Sequence, residues 1–485
     1  MMRASFLFLV VVLVAACPDG AGAGAGAGGG EGEGEGQGVV EDMVLEETPI
    51  AVPIDADLNA GFALATRADG RFAFIFASPQ DPSRTVTCRT FGGTTPPPAP
   101  VQDMTVIDEQ LDGSLRTQVI DTVPPLYPDS VAMTTDPTTD GLVVAYTGGG
   151  IANGYCGASD LLVGVEDPAT GAYTITTIAT DSNAGTPPLN VSGSQGPGSC
   201  RTLQQVCAQG DSVGRNPFIA TNGDASAWAL AYNDMHFGFG ADDIFGSDLE
   251  LGLGTSSTGY GIQTLCGDAG AGYLASAAVT TDGRTIAGHA VIASNNLDNG
   301  QGGAAILHKG IYTETEQTDG TFVEVDQFEQ GSTSGRVTVG HRDGLGFFVA
   351  FRDDGTQQLV AFRSVDDGVT WGADVGNIVE DSGVTGNNPK LGFLSDDTIV
   401  IAYGHCKDVD DGGGCNNTRQ DGVRVAWSSP GASGWQKKTF KGDDEDVDGV
   451  KTDMVITPDD VITTFEFNSS QGNATIHRMR KTTTP

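Results

Sequence analysis

Positive charge is scarce in this chain. Lys plus Arg number 25 against 63 Asp plus Glu, a net charge of −38 over 485 residues. So acidic a surface repels nucleic acid phosphates and anionic headgroups, and nucleic acid is excluded as a partner. Helical periodicity is missing after the first 16 residues. The apolar run Phe6 to Val14 is too short to span a bilayer. No Cys-x-x-Cys pair or Cys/His set has zinc spacing, which argues against a structural zinc site. Serine-nucleophile elbow, phosphate-binding loop and zinc-hydrolase helix motif are absent too. What is abundant is glycine, 70 residues, as expected of a linker plus the many tight turns of an all-β protein.

One strand pair is written seven times. An apolar strand runs into a turn near Asp69, Asp140, Gly223, Asp282, Asp343, Asp396 and Asp459. A strand rich in β-branched and aromatic residues follows, such as Leu142-Val143-Val144-Ala145-Tyr146 or Ile399-Val400-Ile401-Ala402-Tyr403. Turn-to-turn spacings of 71, 83, 59, 61, 53 and 63 residues fit a four-stranded unit plus variable loops. The pattern predicts an all-β fold, a seven-bladed β-propeller of four-stranded blades over 41–482. A six-bladed ring is the alternative, because the unit around Asp282 is irregular. The seventh unit ends near Met479 without room for an outer strand, and the orphan segment Asp42–Glu46 supplies one. Ring closure by this N-terminal strand removes an exposed edge.

Residues 1–17 read as a targeting segment: Arg3, the apolar run, then Val14-Ala15-Ala16-Cys17. The ending resembles the lipobox of bacterial lipoproteins, which implies acylation of Cys17 and a membrane-anchored protein of the bacterial cell envelope, facing periplasm or cell surface. Residues 18–40 alternate Gly with Ala and then Glu, a tether that cannot pack, with a mean span of about 25 Å. In such an oxidising setting Cys200 with Cys207 and Cys406 with Cys415 have spacings that allow loop disulfides, while Cys88, Cys156 and Cys266 leave an odd count.

The turn Ser364-Val365-Asp366-Asp367-Gly368-Val369-Thr370-Trp371 resembles the Asp-box, or BNR repeat, of sialidase-like propellers at every defined position. Asp366 can accept bonds from turn amides, Gly368 supplies positive φ, and Trp371 packs between blades. In that family the box is structural and lies away from the catalytic face, so Ser364, Asp366, Gly368, Thr370 and Trp371 speak for the fold. Sialidase-like enzymes also use an arginine cluster, a Tyr/Glu pair and an acid Asp. Arg215-Asn216-Pro217 is similar to their Arg-x-Pro element, but the rest of the set has no counterpart at matching positions.

In a propeller the start of each innermost strand and the end of the next share one face. That geometry gathers Tyr127, Asp129, Tyr146, Arg215, Tyr232, Asp234, Arg336, Arg352, Asn388, Lys390, Tyr403 and His405, together with the longest loops, as candidate ligand contacts. Asp444, Asp446 and Asp448 follow the Asp-x-Asp-x-Asp-Gly order that opens an EF-hand loop, with Asp453 replacing the missing twelfth ligand, and make calcium the one candidate cofactor. The expectation is a monomeric, lipid-anchored propeller that binds a protein or glycan through this face without catalysis; the alternative is a sialidase-like or other glycan-cleaving hydrolase.

Overall fold

The computed structural model describes residues 41–483 apart from 46–49, 55, 57–60, 87–97, 124–129, 149–158, 180–211, 236–246, 267–270, 295–305, 326–335, 354–355, 357, 373–377, 381–384, 406–421, 433, 442–446, 449–451 and 469–472. Asp42–Thr482 form one compact unit; of the second unit, Met1–Glu41 with Thr483–Pro485, only Glu41 and Thr483 are described. Cys17, the tether, Tyr127, Asp129, Asp444, Asp446, Cys88, Cys156, Cys200, Cys207, Cys406 and Cys415 lie outside the described residues, as do the side chains of Cys266 and Asp448.

Every described element is a strand or a turn. Strands β1 (Glu41–Leu45) and β2 (Ile50–Pro53) precede the first blade. Blade 1 holds β3 (Phe62–Thr66), β4 (Phe72–Ala77), an added β5 (Asp81–Val86), β6 (Ala99–Glu109) and β7 (Leu115–Val123). Blade 2 is β8 (Val131–Thr135), β9 (Leu142–Gly148), β10 (Asp160–Asp167) and β11 (Ala172–Ala179). Blade 3 is β12 (Ser212–Thr221), β13 (Trp228–Met235), β14 (Ser247–Gly254) and β15 (Tyr260–Cys266). Blade 4 is β16 (Tyr273–Val279), β17 (Thr285–Ser294), β18 (Ile306–Glu316) and β19 (Phe322–Val325). Blade 5 is β20 (Thr338–Arg342), β21 (Gly346–Asp353), β22 (Gln358–Ser364) and β23 (Ile378–Glu380). Blade 6 is β24 (Thr385–Phe393), β25 (Ile399–His405), β26 (Gly422–Ser428) and β27 (Gln436–Lys441). In blade 7, β28 (Val447–Asp448) and β29 (Met454–Ile456) both pair with β30 (Val461–Asn468), which pairs with β31 (Asn473–Thr483).

The ring therefore has seven blades, each an antiparallel sheet, and the irregular unit around Asp282 is a complete blade. Two strands rather than one close it: β1 and β2 both lie on β31, with Ile50 opposite Ile476 and Pro53 opposite Asn473.

The second strand of each blade is sandwiched between neighbouring blades; in blades 1 and 2 it reads as a nearly unbroken apolar run, whereas β30 also buries Thr463, Thr464 and Glu466. Phe72-Ala73-Phe74-Ile75-Phe76-Ala77 is buried at every position, and Leu142 to Gly148 likewise. The outer strand β11 faces water on one side and alternates. Seven apolar layers lie between consecutive blades. The layer between blades 6 and 7 includes fully buried Met43 from β1 beside Trp427, Ile462 and Met479.

Turn chemistry adds a belt around one end. Asp140, Asp397 and Asp460 adopt left-handed φ of 59°, 67° and 64°, which aspartate tolerates better than most residues. Each carboxylate reaches back to the preceding blade: Asp140 accepts the Ala68 amide at 2.7 Å, Asp460 the Ser395 amide at 2.7 Å, and Asp397 the Arg342 guanidinium at 2.6 Å. Blade 1 has Gly70 at this position, with open space where a Cβ would stand. A cavity of about 480 Å³ opens there between blades 7 and 1, lined by Arg71, Arg478, Arg480, Asp69 and Asp459.

Closure by β1 makes Met43 a core residue. Met43→Ala should cost about 2–5 kcal/mol in urea unfolding, whereas Val44→Ala on the exposed side should stay within about 0.5 kcal/mol. Equal small effects would show that β1 does not close the ring.

Candidate functional site

The innermost strands line the central channel, and at its loop-bearing end two of them carry the same interruption. Gly214-Arg215-Asn216-Pro217-Phe218 and Gly386-Asn387-Asn388-Pro389-Lys390 are matching stretches of β12 and β24. Pairing register shifts between Arg215 and Phe218 in one and between Asn387 and Lys390 in the other. Asn216 and Asn388 sit at φ 49° and 46°, a left-handed conformation open to asparagine. Such a bulge re-aims the side chains that follow it. Phe218 and Lys390 meet in the channel, with Lys390 Nζ 4.6 Å from the ring centroid. The repeated Gly-x-Asn-Pro is the sequence signal that would have found this pair.

Arg336 joins them from the start of blade 5, its guanidinium 5.5 Å from the same ring. Its Nη1 donates to the Ala275 carbonyl and its amide to Asn388 Oδ1 at 3.3 Å. Asp453, grouped above with the acidic loop, stands instead beside Lys390. Its Oδ1 is 3.1 Å from Lys390 Nζ and accepts the Met454 amide at 2.8 Å, while Oδ2 accepts the Leu64 amide of blade 1 at 2.9 Å. Burial pulls the Lys390 ammonium below its ordinary value; Asp453 opposes that and nearby Arg336 adds to it. These side chains line a cavity of about 50 Å³.

The tyrosines that end the second strands do not face this cavity. Tyr146, Tyr232 and Tyr403 are fully buried. Tyr146 donates to Asp121 on blade 1 at 2.7 Å, and Tyr403 to Glu380 on blade 5 at 3.1 Å, so each bridges to the preceding blade's outer strand. Glu380 also holds Arg424, and Lys437 at 3.2 Å. Arg424 reaches His405 Nε2 at 2.7 Å; arginine only donates, so Nε2 accepts and the ring proton is on Nδ1. Burial, with the Glu380 carboxylate beside it, pushes the Tyr403 hydroxyl far above the ordinary tyrosine value, the reverse of nucleophile activation. Arg352 is buried at the end of β21.

Blade 3 buries acids. Asp234 is opposite Asp248, and Tyr232 opposite Glu250. All three carboxyls are buried, and Thr264 donates to Glu250 Oε1 at 2.6 Å. Burial foremost, then the Asp234 charge, raises the Glu250 carboxyl well above its ordinary value. Arg215 lies on the adjoining β12, opposite Asn233. Among the described residues no group of three or more His, Cys, Asp or Glu is arranged for a metal ion.

The turn 364–371 belongs to the opposite end. Asp366 accepts the Thr370 amide at 2.9 Å and its hydroxyl at 2.6 Å, and Ser364 Oγ accepts the Gly368 amide at 2.9 Å. Gly368 has φ 77°, and a Cβ there would meet Thr315 Oγ1 at 2.2 Å. Trp371 packs into the layer between blades 4 and 5.

No family model matches the chain, and no curated protein does. Solved structures do. A protein of unknown function from Dyadobacter fermentans has 10% identity and a TM-score of 0.44 over 92% of this chain and 99% of its own. An α-L-arabinofuranosidase from Fusarium graminearum has 12% identity and a TM-score of 0.41 over 79% and 98%. A Trypanosoma rangeli sialidase in complex with sialic acid has 10% identity and a TM-score of 0.37, with 82% of this chain spanning 58% of that one.

A buried carboxyl with a raised pKa stabilises the fold fully below the ordinary glutamate range, about pH 4.3, and that contribution is lost as pH rises toward the folded value. Glu250→Gln should therefore gain stability relative to the parent between pH 4 and pH 8 in chemical unfolding. A difference independent of pH would mean that Glu250 is ionised in place.

Proposed function

We propose that this chain is a lipid-anchored β-propeller of the bacterial envelope that binds a protein or glycan partner, without catalysis, through the end carrying the Asn-Pro bulges. One observation carries the reading: the channel cavity at that end is about 50 Å³. Sites that enclose a small ligand run to roughly 300–1,000 Å³. A partner larger than a few atoms must therefore rest on the rim and on the loops around it. The polar groups beneath are engaged in the framework, with Tyr146 and Tyr403 on neighbouring blades and Asp453 on Lys390 and two amides. Such a floor suits a rigid platform under binding loops.

The test is capture from envelope extracts with residues 41–482. Binding should be saturable and should disappear on deleting residues 183–211 or 406–421, between the strands; a partner retained after both deletions would place the surface elsewhere. Acylation of Cys17 predicts a second outcome. Cys17→Ser should move the protein from the membrane to the soluble fraction with its melting temperature unchanged, and retention in the membrane would refute the anchor.

The hydrolase reading draws its support from blade 3, where burial foremost, then the charges of Asp234 and Asp248, raise the Glu250 carboxyl above its ordinary value. A carboxyl with a raised pKa is what the general acid of glycan cleavage uses. Turnover in a glycan-substrate panel that Glu250→Gln abolishes would establish it over the binding reading.

A further inference from the structure

We propose that the cavity between blades 7 and 1 is a binding site for a neutral saccharide, a hexose or a disaccharide of hexoses, held by its hydroxyls against arginine–carboxylate pairs. The site lies at the end of the ring opposite the Asn-Pro bulges, and the proposal does not depend on what the loops there bind. The belt of turn contacts is interrupted at this seam from both sides. Asp140, Asp397 and Asp460 each reach back to the preceding blade, and Asp460 takes the Ser395 amide. Gly70 stands at their position in blade 1 and has no carboxylate; Pro458 stands at the position of Ser395 in blade 7 and has no amide hydrogen. The space left is about 480 Å³, within the roughly 300–1,000 Å³ of small-ligand sites.

The walls set the class of ligand. Among the described residues, Arg71 pairs with Asp69 at 2.7 Å, Arg480 with Asp459 at 3.0 Å, and Arg478 with Glu109. A charged ligand has to draw one member away from its partner, and the charge left behind is costly, most of all at the largely buried Arg478–Glu109 pair. An apolar molecule would strip water from the charges and return nothing. A hydroxyl does neither. A guanidinium has several donors and a carboxylate several acceptor sites, so a pair already formed can still take O–H groups that donate to the carboxylate and accept from the guanidinium. Adjacent hydroxyls on a sugar ring present both halves of that contact together. The Arg71–Asp69 and Arg480–Asp459 pairs are partly exposed, so solvent reaches them. Leu111, 86% exposed, gives the rim an apolar surface for the C–H face of the ring.

The experiment is saturation-transfer NMR with calorimetric titration of the purified full chain, using glucose, galactose, mannose, maltose, cellobiose and lactose, against sodium glucuronate and glycine betaine. At least one neutral sugar should bind saturably, and more tightly than either charged probe. Asp69→Ala with Arg71→Ala removes one whole pair, leaves the net charge unchanged and should weaken that sugar at least tenfold. Where the double variant does not fold, Asp459→Ala on its exposed turn should show the same loss. Glucuronate or betaine binding more tightly than every sugar would mark the cavity as charge-selective and overturn the proposal. Absence of binding by every sugar would also overturn it. A sugar held equally well by parent and variants sits elsewhere on the ring, and this site is then refuted.

Discussion

A sheet that is apolar on both faces must be covered twice, and in a ring of blades each is covered only by its two neighbours. This constraint governs the molecule. It explains why the second strands of blades 1 and 2 are buried at every position, and why the core is seven thin layers between sheets rather than one mass. It also makes the seam between blades 7 and 1 as necessary as any blade. There β1 and β2 line the edge of β31, Asp453 takes the Leu64 amide, and Arg478 pairs with Glu109 while lying over Phe72.

Polar groups follow the same geometry. Arg67 binds Asp108 and Glu166 at 2.9 Å each, across blades 1 and 2, at burial that only mutual pairing makes tolerable. Tyr146 and Tyr403 cross similar gaps near the other end of the ring. Burying a hydroxyl or a charge between sheets is favourable only with a partner, so these pairs favour one angular setting of neighbouring blades.

The blade count was legible because turn residues and strand periodicity report backbone geometry directly. A positive φ recurs once in the first turn of each blade, at Gly70, Asp140, Ala225, Gly283, Gly344, Asp397 and Asp460, and all but Ala225 are Asp or Gly. The closing role of the Asp42 segment was legible by bookkeeping of strands alone, though β2 beside it was not, nor was β5 inside blade 1. Function was less visible for a physical reason. Tyr146, Tyr232 and Tyr403 have the positions of channel-face residues, but strand alternation turns them into the gap between blades, and sequence does not say which gap is dry. Asp453 looked like one more acid in an acidic run, because its partners Lys390 and Leu64 come from blades 6 and 1. The Asn-Pro bulges displace a strand by one residue, which a reading based on even alternation passes over.

The seam also sets an order in time. Leu64 and Asp453 are 389 residues apart, and Met43 must wait for β31 before it has an interior to enter. Each of the first six blades can form from neighbouring chain, but the seventh needs strands from both ends of the domain. The entropy of bringing such distant segments together grows only slowly with the intervening length. The delay is therefore one of synthesis rather than of search. Until β31 exists, a growing array of blades has two bare apolar faces, one at each end, and no contact within the chain to cover them. The same species is the one most prone to joining another copy of itself, so the interval before closure is the vulnerable moment in the life of this protein.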